Sequence, residues 1–117
     1  MTHKRLQAYR RGHIAEYIAA GLLLLKGYRI AARRYKTPVG EVDLVARRGE
    51  LILFVEVKAR ASHQLALDSI TPTAQKRIEA AGNWWLSNQR DGPQLSWWFD
   101  VITVVPRRWP RHYRNVW

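Results

Sequence analysis

The spacing of hydrophobic positions switches between helix and strand periods along the chain. Ile14, Ile18, Leu22 and Leu25 recur at helical spacing. They predict a helix from about Leu6 to Lys26, with Gly27 as a left-handed C-terminal cap. Tyr28 to Tyr35 reads as a strand with arginines on its exposed side, and Pro38 and Gly40 mark Lys36 to Gly40 as a turn. Two central strands follow, at roughly 41–47 and 51–58. The second contains Leu-Ile-Leu-Phe-Val-Glu-Val from Leu51 to Val57, a continuous apolar run suited to burial on both faces. Residues 60–70 read as a loop. Thr71-Pro72 resembles an N-cap followed by a first-turn proline and opens a second helix to about Ser87. Asp91-Gly92-Pro93 breaks the chain, and Ser96 to Val105 reads as a final strand. The order αβββαβ predicts an α/β domain over residues 1–105. Its mixed sheet of about four strands is flanked by helices, and residues 106–117 form a basic, aromatic tail.

One residue breaks the apolar pattern. Glu56 is charged within the most hydrophobic stretch, and a buried carboxylate needs a cation, a metal or a hydrogen-bond network. Asp43 precedes it by a hairpin. A two- or four-residue loop centred on Arg48-Gly49 opposes Asp43 to Phe54 and Glu41 to Glu56. Glu41, Asp43, Phe54, Glu56 and Lys58 then share one sheet face, with Asp43 and Glu56 diagonal neighbours roughly 7–8 Å apart. From that spacing two carboxylates can hold one divalent ion. A three-residue loop would place Asp43 on the opposite face. The bland alternative is a salt bridge of Lys58 with Glu56 or Asp43 on a solvated face.

The pattern of an acid, a hairpin and Glu-X-Lys resembles the PD-(D/E)XK nuclease superfamily. More narrowly, five ordered segments resemble the small bacterial YraN-like family, related to archaeal Holliday-junction resolvases. They are Gly12-His13-Ile14-Ala15-Glu16, Gly27-Tyr28-Arg29-Ile30, Gly40 to Ala46, Phe54 to Arg60 and Phe99-Asp100-Val101-Ile102. The resemblance implies a restriction-endonuclease-like core and a metal-dependent endonuclease that hydrolyses phosphodiester bonds in DNA, with branched or non-duplex DNA as its expected substrate. It makes Asp43 and Glu56 ligands for Mg²⁺ or Mn²⁺, with the backbone carbonyl of Val57 as another. Lys58 would orient the attacking water or offset transition-state charge. Glu16, one helical turn after Gly12, would reach the metal directly or through water; its bland alternative is a surface glutamate paired with a nearby arginine. Gly12 is expected to permit close approach of backbone or substrate. Glu41 is either a further carboxylate beside the metal or a solvated residue. Gln75 matches a supporting glutamine of some relatives, although the tyrosine expected four residues later is Glu79 here. The alternative is a non-catalytic nucleic-acid-binding module that keeps the fold. A third reading is a protein-interaction domain.

Charge adds a partner. The net charge is +11, unevenly spread. Residues 1–36 carry nine basic residues and one acid, residues 37–105 seven and eight, and residues 106–117 four and none. Cationic ends around a near-neutral middle suit phosphate backbones. Arg10, Arg11, Arg33 and Arg34 supply the first block, and Arg60, Lys76 and Arg77 lie where phosphate contacts to the site are expected. Trp109, Tyr113 and Trp117 alternate with arginines in the tail, either to stack bases or to pack onto the domain. In the adjacent pairs Trp84-Trp85 and Trp97-Trp98, one ring of each is expected in the core. Cysteine is absent, which excludes disulfides and thiolate metal sites. Ile18 to Leu25 is too short to span a membrane, and no signal-peptide pattern opens the chain. A cytoplasmic protein is expected, and the resolvase resemblance adds a homodimer. His3, His63 and His112 lack metal-ligand spacing, and no serine lies in a nucleophile motif.

Overall fold

The apolar run after Leu51 forms the middle strand of a five-stranded mixed sheet flanked by helices. The computed structural model describes residues 2–117, except for the side chains of Ala8, Tyr9 and Arg11. Helix α1 (His3–Leu25) is followed by strands β1 (Arg29–Thr37), β2 (Gly40–Arg48) and β3 (Leu51–Ala59). Helices α2 (His63–Asp68) and α3 (Pro72–Ser87) and a short 3₁₀ turn lead to β4 (Ser96–Val104) and β5 (Arg111–Tyr113). The sheet order is β1-β2-β3-β4-β5, with β3 and β4 parallel and the other neighbours antiparallel. Among the described residues no helix is long and apolar enough to cross a membrane.

Period-two alternation divides the core. Leu44, Leu53, Val55 and Ile102 pack on Ala15, Ala19 and Leu23 of α1. Val45, Ile52 and Phe54 pack on Ile78, Ala81 and Trp85 of α3. β3 is therefore buried from both sides, as its unbroken apolar run requires.

The expected boundaries hold where capping chemistry sets them. Gly27 has φ 91°, and Tyr28 N donates to Leu23 O while Gly27 N donates to Leu24 O, a complete Schellman cap. Thr71 caps α3 by accepting from Ala74 N at 3.1 Å, with Pro72 in the first turn.

Three expectations change. Residues 63–68 form a helical turn and a half because Ser62 caps them, its hydroxyl accepting from Leu65 N. The tail adds a fifth strand, since Val101 to Thr103 of β4 pair with Arg111 to Tyr113. The β2–β3 hairpin turns through Gly49-Glu50, with Arg48 opposite Leu51. Gly49 adopts φ 62°, as a glycine-first two-residue loop favours. This register lies two residues from the expected one, and a shift of two preserves which face each side chain takes.

The tryptophan pairs divide differently. Trp85 is buried and Trp84 exposed, but Trp97 and Trp98 are both exposed. They open β4 ahead of the segment that β5 covers.

Candidate metal and phosphate cleft

Beyond Leu44–Val55 the β2–β3 ladder stops, and the chain places two acids where the strands part. Asp43 lies one residue beyond the last paired residue of β2, and Glu56 one beyond the last of β3. Asp43 Oδ2 accepts from Val57 N at 2.8 Å and so replaces a β2 backbone acceptor. In antiparallel pairing a residue directs its N–H and C=O toward the same neighbour. The Val57 carbonyl therefore faces the same gap. Glu56 is buried, at 9% exposure. Its carboxyl is pushed up to about 9, first by burial, then by the hydrogen bond and charge of Asp43, with Lys58 pulling the other way. Near neutral pH Glu56 therefore holds a proton beside Asp43. A divalent cation between the two acids can take the place of that proton.

The pair opens into a cleft of about 740 Å³. α1 supplies Gly12, Ala15 and Glu16 to its wall, and β2 supplies Glu41 as well as Asp43. β3 contributes Glu56, Val57 and Lys58, and Arg60 follows the strand. The first half of α3 closes the far side with Thr73, Ala74 and Arg77. Asp43, Glu56, Val57, Lys58, Glu16, Glu41, Arg60 and Arg77 thus come together. Gln75 and Lys76 do not line the cleft, and neither does His13. Arg10 is exposed, and the Arg11 side chain lies outside the described residues. Gly12 opens directly onto the cleft, and a Cβ there would meet nothing within 4 Å. The close backbone approach expected at Gly12 occurs instead at Gly40, whose added Cβ would lie 1.9 Å from Arg77 O.

Glu16 points to a cation already present. Arg34 Nε donates to both of its carboxylate oxygens, at 3.0 and 3.2 Å. Arg34 has φ 50°, a left-handed backbone inside a strand. Such strain concentrates at functional sites. Arg33 lies over the Tyr17 ring at 4.8 Å. Both arginines therefore brace α1 against β1 while remaining exposed. With Glu16 so engaged and Glu41 exposed, no group of three or more His, Cys, Asp or Glu side chains stands in metal-binding geometry among the described residues. The fit for a metal rests on the Asp43–Glu56 pair and the Val57 carbonyl. These are hard oxygen donors suited to Mg²⁺ or Mn²⁺, which retain several waters.

A second polar centre lies on β4, at Asp100 of the Phe99–Ile102 segment. Asp100 Oδ2 meets His112 Nε2 at 2.7 Å, and its Oδ1 accepts from Asn115 N at 2.8 Å. Lys26 Nζ meets His112 Nδ1 at 2.9 Å. With Lys26 charged, it donates to Nδ1, and His112 donates from Nε2 to Asp100. Trp117 stacks on Phe99, with ring centroids 6.0 Å apart. The end of the tail packs onto the domain, whereas Trp109 stays exposed.

A family model described as "Uncharacterised protein family UPF0102" matches residues 15–104. A UPF0102 protein of Brucella canis is 55% identical over 112 residues, which cover 96% of this chain and 89% of that one. One from Chelativorans sp. is 54% identical, covering 96% and 90%. One from Rhizobium meliloti is 56% identical over 109 residues, covering 93% and 89%.

Proposed function

The chain belongs to family UPF0102, the YraN-like proteins suggested by its five motif segments, and from that premise we propose a metal-dependent endonuclease that cuts DNA. The observation that carries the proposal is buried Glu56 beside half-buried Asp43, whose Oδ2 accepts from Val57 N, with Lys58 in the same open cleft. Structural ion pairs neutralise buried acids with arginine or lysine. This pair is only partly offset by Lys58, and it faces a space large enough for a phosphodiester.

Asp43, Glu56 and the Val57 carbonyl would hold Mg²⁺ or Mn²⁺. A bound divalent ion polarises a phosphoryl oxygen and lowers the pKa of water. The protein's own groups do the rest. Val57 N–H fixes the Asp43 carboxylate, leaving Oδ1 for the cleft. Lys58 supplies a mobile donor from the strand and orients a water or offsets developing negative charge. Arg60 just after β3 and Arg77 from α3 both line the cleft, where they would grip phosphates flanking the scissile bond.

DNA as substrate, the cytoplasm as compartment and a homodimer as assembly all form part of this proposal. One observation favours the non-catalytic alternative: Glu16 is held by Arg34, so the third carboxylate is not free in this conformation.

Labelled linear, single-stranded, flapped and four-way DNA, incubated with Mg²⁺ or Mn²⁺, tests the reading. The parent is expected to cleave at least one substrate, and identically purified Asp43→Ala to lose at least about a hundredfold in rate. Equal cleavage by both proteins would remove Asp43 from the site. Binding without cleavage, unchanged by EDTA and by Asp43→Ala, would establish the binding module instead.

A further inference from the structure

A second groove, of about 550 Å³, adjoins the cleft and shares Ala15, Ala59 and Arg60 with it. Its floor is aliphatic, built from Ile14 and Ile18 of α1 and from Val104, Val105 and Pro106 at the end of β4. Ile14 is 58% exposed and Ile18 39%, so the floor is open to water. Its rim is cationic, with Arg10, Arg60, Arg107 and Arg108 around the apolar strip. Arg107 holds a left-handed φ of 61°. That strain at an arginine on a groove rim is the kind retained where a side chain must be aimed.

We propose that this groove seats an unpaired nucleic-acid strand running into the metal cleft. It would give the protein a preference for nucleotides exposed beside the scissile bond. The inference rests on the nuclease reading of the cleft for its direction. Its substrate class comes from the groove's chemistry. A duplex shows a protein mainly phosphates and sugars, which match arginines but leave an aliphatic floor unfilled. An unpaired strand offers base faces to the floor and phosphates to the rim in alternation. The two grooves share Ala15, Ala59 and Arg60, so a strand bound in one would lead past Arg60 into the other. An acidic amphipathic helix would match the floor and rim, but it would gain nothing from continuity with a carboxylate-lined cleft.

Fluorescence anisotropy of the whole protein in EDTA separates these cases, because binding is then read without cleavage. The probes are labelled oligo-dT, labelled oligo-U and a DNA hairpin duplex of matched length. The unpaired probes are expected to bind about tenfold tighter than the duplex. The neutral floor variant Ile14→Gln/Ile18→Gln should erase most of that preference and leave duplex affinity within about twofold. The rim variant Arg107→Ala/Arg108→Ala should weaken all three probes and flatten their salt dependence by about two phosphate contacts. It carries the test if the floor variant does not fold, which its melting curve reports. Tighter binding of either oligo-dT or oligo-U supports the assignment and identifies the preferred sugar. Duplex binding equal to or tighter than both, or a floor variant that keeps the preference, would overturn it. So would a glutamate-rich amphipathic peptide whose binding the floor variant abolishes while oligonucleotide binding persists. Single-strand preference in a protein that cleaves nothing would keep the groove and sink the nuclease. Asp43-dependent cleavage without that preference would do the converse.

Discussion

At Glu56 a carboxyl group is held where water hardly reaches, and the consequence is a bound proton. Its ordinary value of 4.5 rises to about 9 in the fold, through burial and the neighbouring Asp43. Between those values the folded chain keeps a proton that the unfolded chain has lost. Stability without metal should therefore fall as pH rises through that window, by up to about 1.4 kcal/mol per unit, and level off above it. Urea unfolding in EDTA at about pH 6 and about pH 8.5 checks this, with Glu56→Gln as the control lacking the titration. A parent whose pH dependence matches that of the variant would show that Glu56 ionises normally. A divalent ion must displace the same proton, so Mn²⁺ affinity should climb with pH up to about 9, by at most about tenfold per unit. Calorimetry in buffers of different ionisation enthalpy would count the proton released. Glu56 was legible in the sequence because a charge inside an apolar run violates burial chemistry wherever the strand ends up. That Arg34 would be the arginine paired with Glu16 was not legible, since residues eighteen apart meet only through the packing of α1 on β1.

The elements show which rules transmit site geometry. Hairpin register could not be read from hydrophobic pattern, because pattern fixes a face and only the turn fixes the partner. The expected register missed by two residues, and the observed ladder ends at Leu44–Val55, so Asp43 and Glu56 stand where the strands part rather than as a diagonal pair within it. The second helix was expected beside the site, but which of its residues enter the cleft was not legible, because that depends on how close α3 comes to β2. Gly40 sets that distance. A Cβ there would stand 1.9 Å from Arg77 O and 2.8 Å from Arg77 C, both backbone atoms that cannot swing aside. Gly40→Ala should push α3 outward, at a cost of about 1–3 kcal/mol, and displace Arg77 from the cleft. Gly21→Ala is the matched control, because a Cβ at that helical position meets nothing within 4 Å. It should stabilise α1 by about 0.5–1 kcal/mol. Denaturant midpoints for both variants provide the comparison. Equal, small effects would show that α3 is not seated on Gly40.

Across the whole molecule, the tail's return gives the uneven charge its meaning. The two basic ends are far apart in sequence, yet Lys26 meets His112 directly, and Arg10 lines the same groove as Arg107 and Arg108. The anchor is Asp100, fully buried, holding His112 through one oxygen and the Asn115 amide through the other. Nothing local in the sequence announces this. β5 is three residues long, flanked by prolines and arginines, and its polar partners lie twelve to eighty-six residues away. Asp100→Ala would strand His112 beside Lys26 with no negative charge to balance it. It also removes the acceptor of His112 Nε2–H and of the Asn115 amide, at a cost of about 1–3 kcal/mol for each donor left unsatisfied. If the anchored tail completes a cationic surface, Asp100→Ala should also lower nucleic-acid affinity while its net charge becomes more positive. The signs then oppose each other: a charge count alone predicts tighter binding, and a lost tail geometry predicts weaker binding with a shallower salt slope. Anisotropy titrations at several salt concentrations, at a temperature where circular dichroism shows the variant folded, decide between them. Tighter binding with an undiminished slope would mean that the tail's position is irrelevant and that only its charge counts.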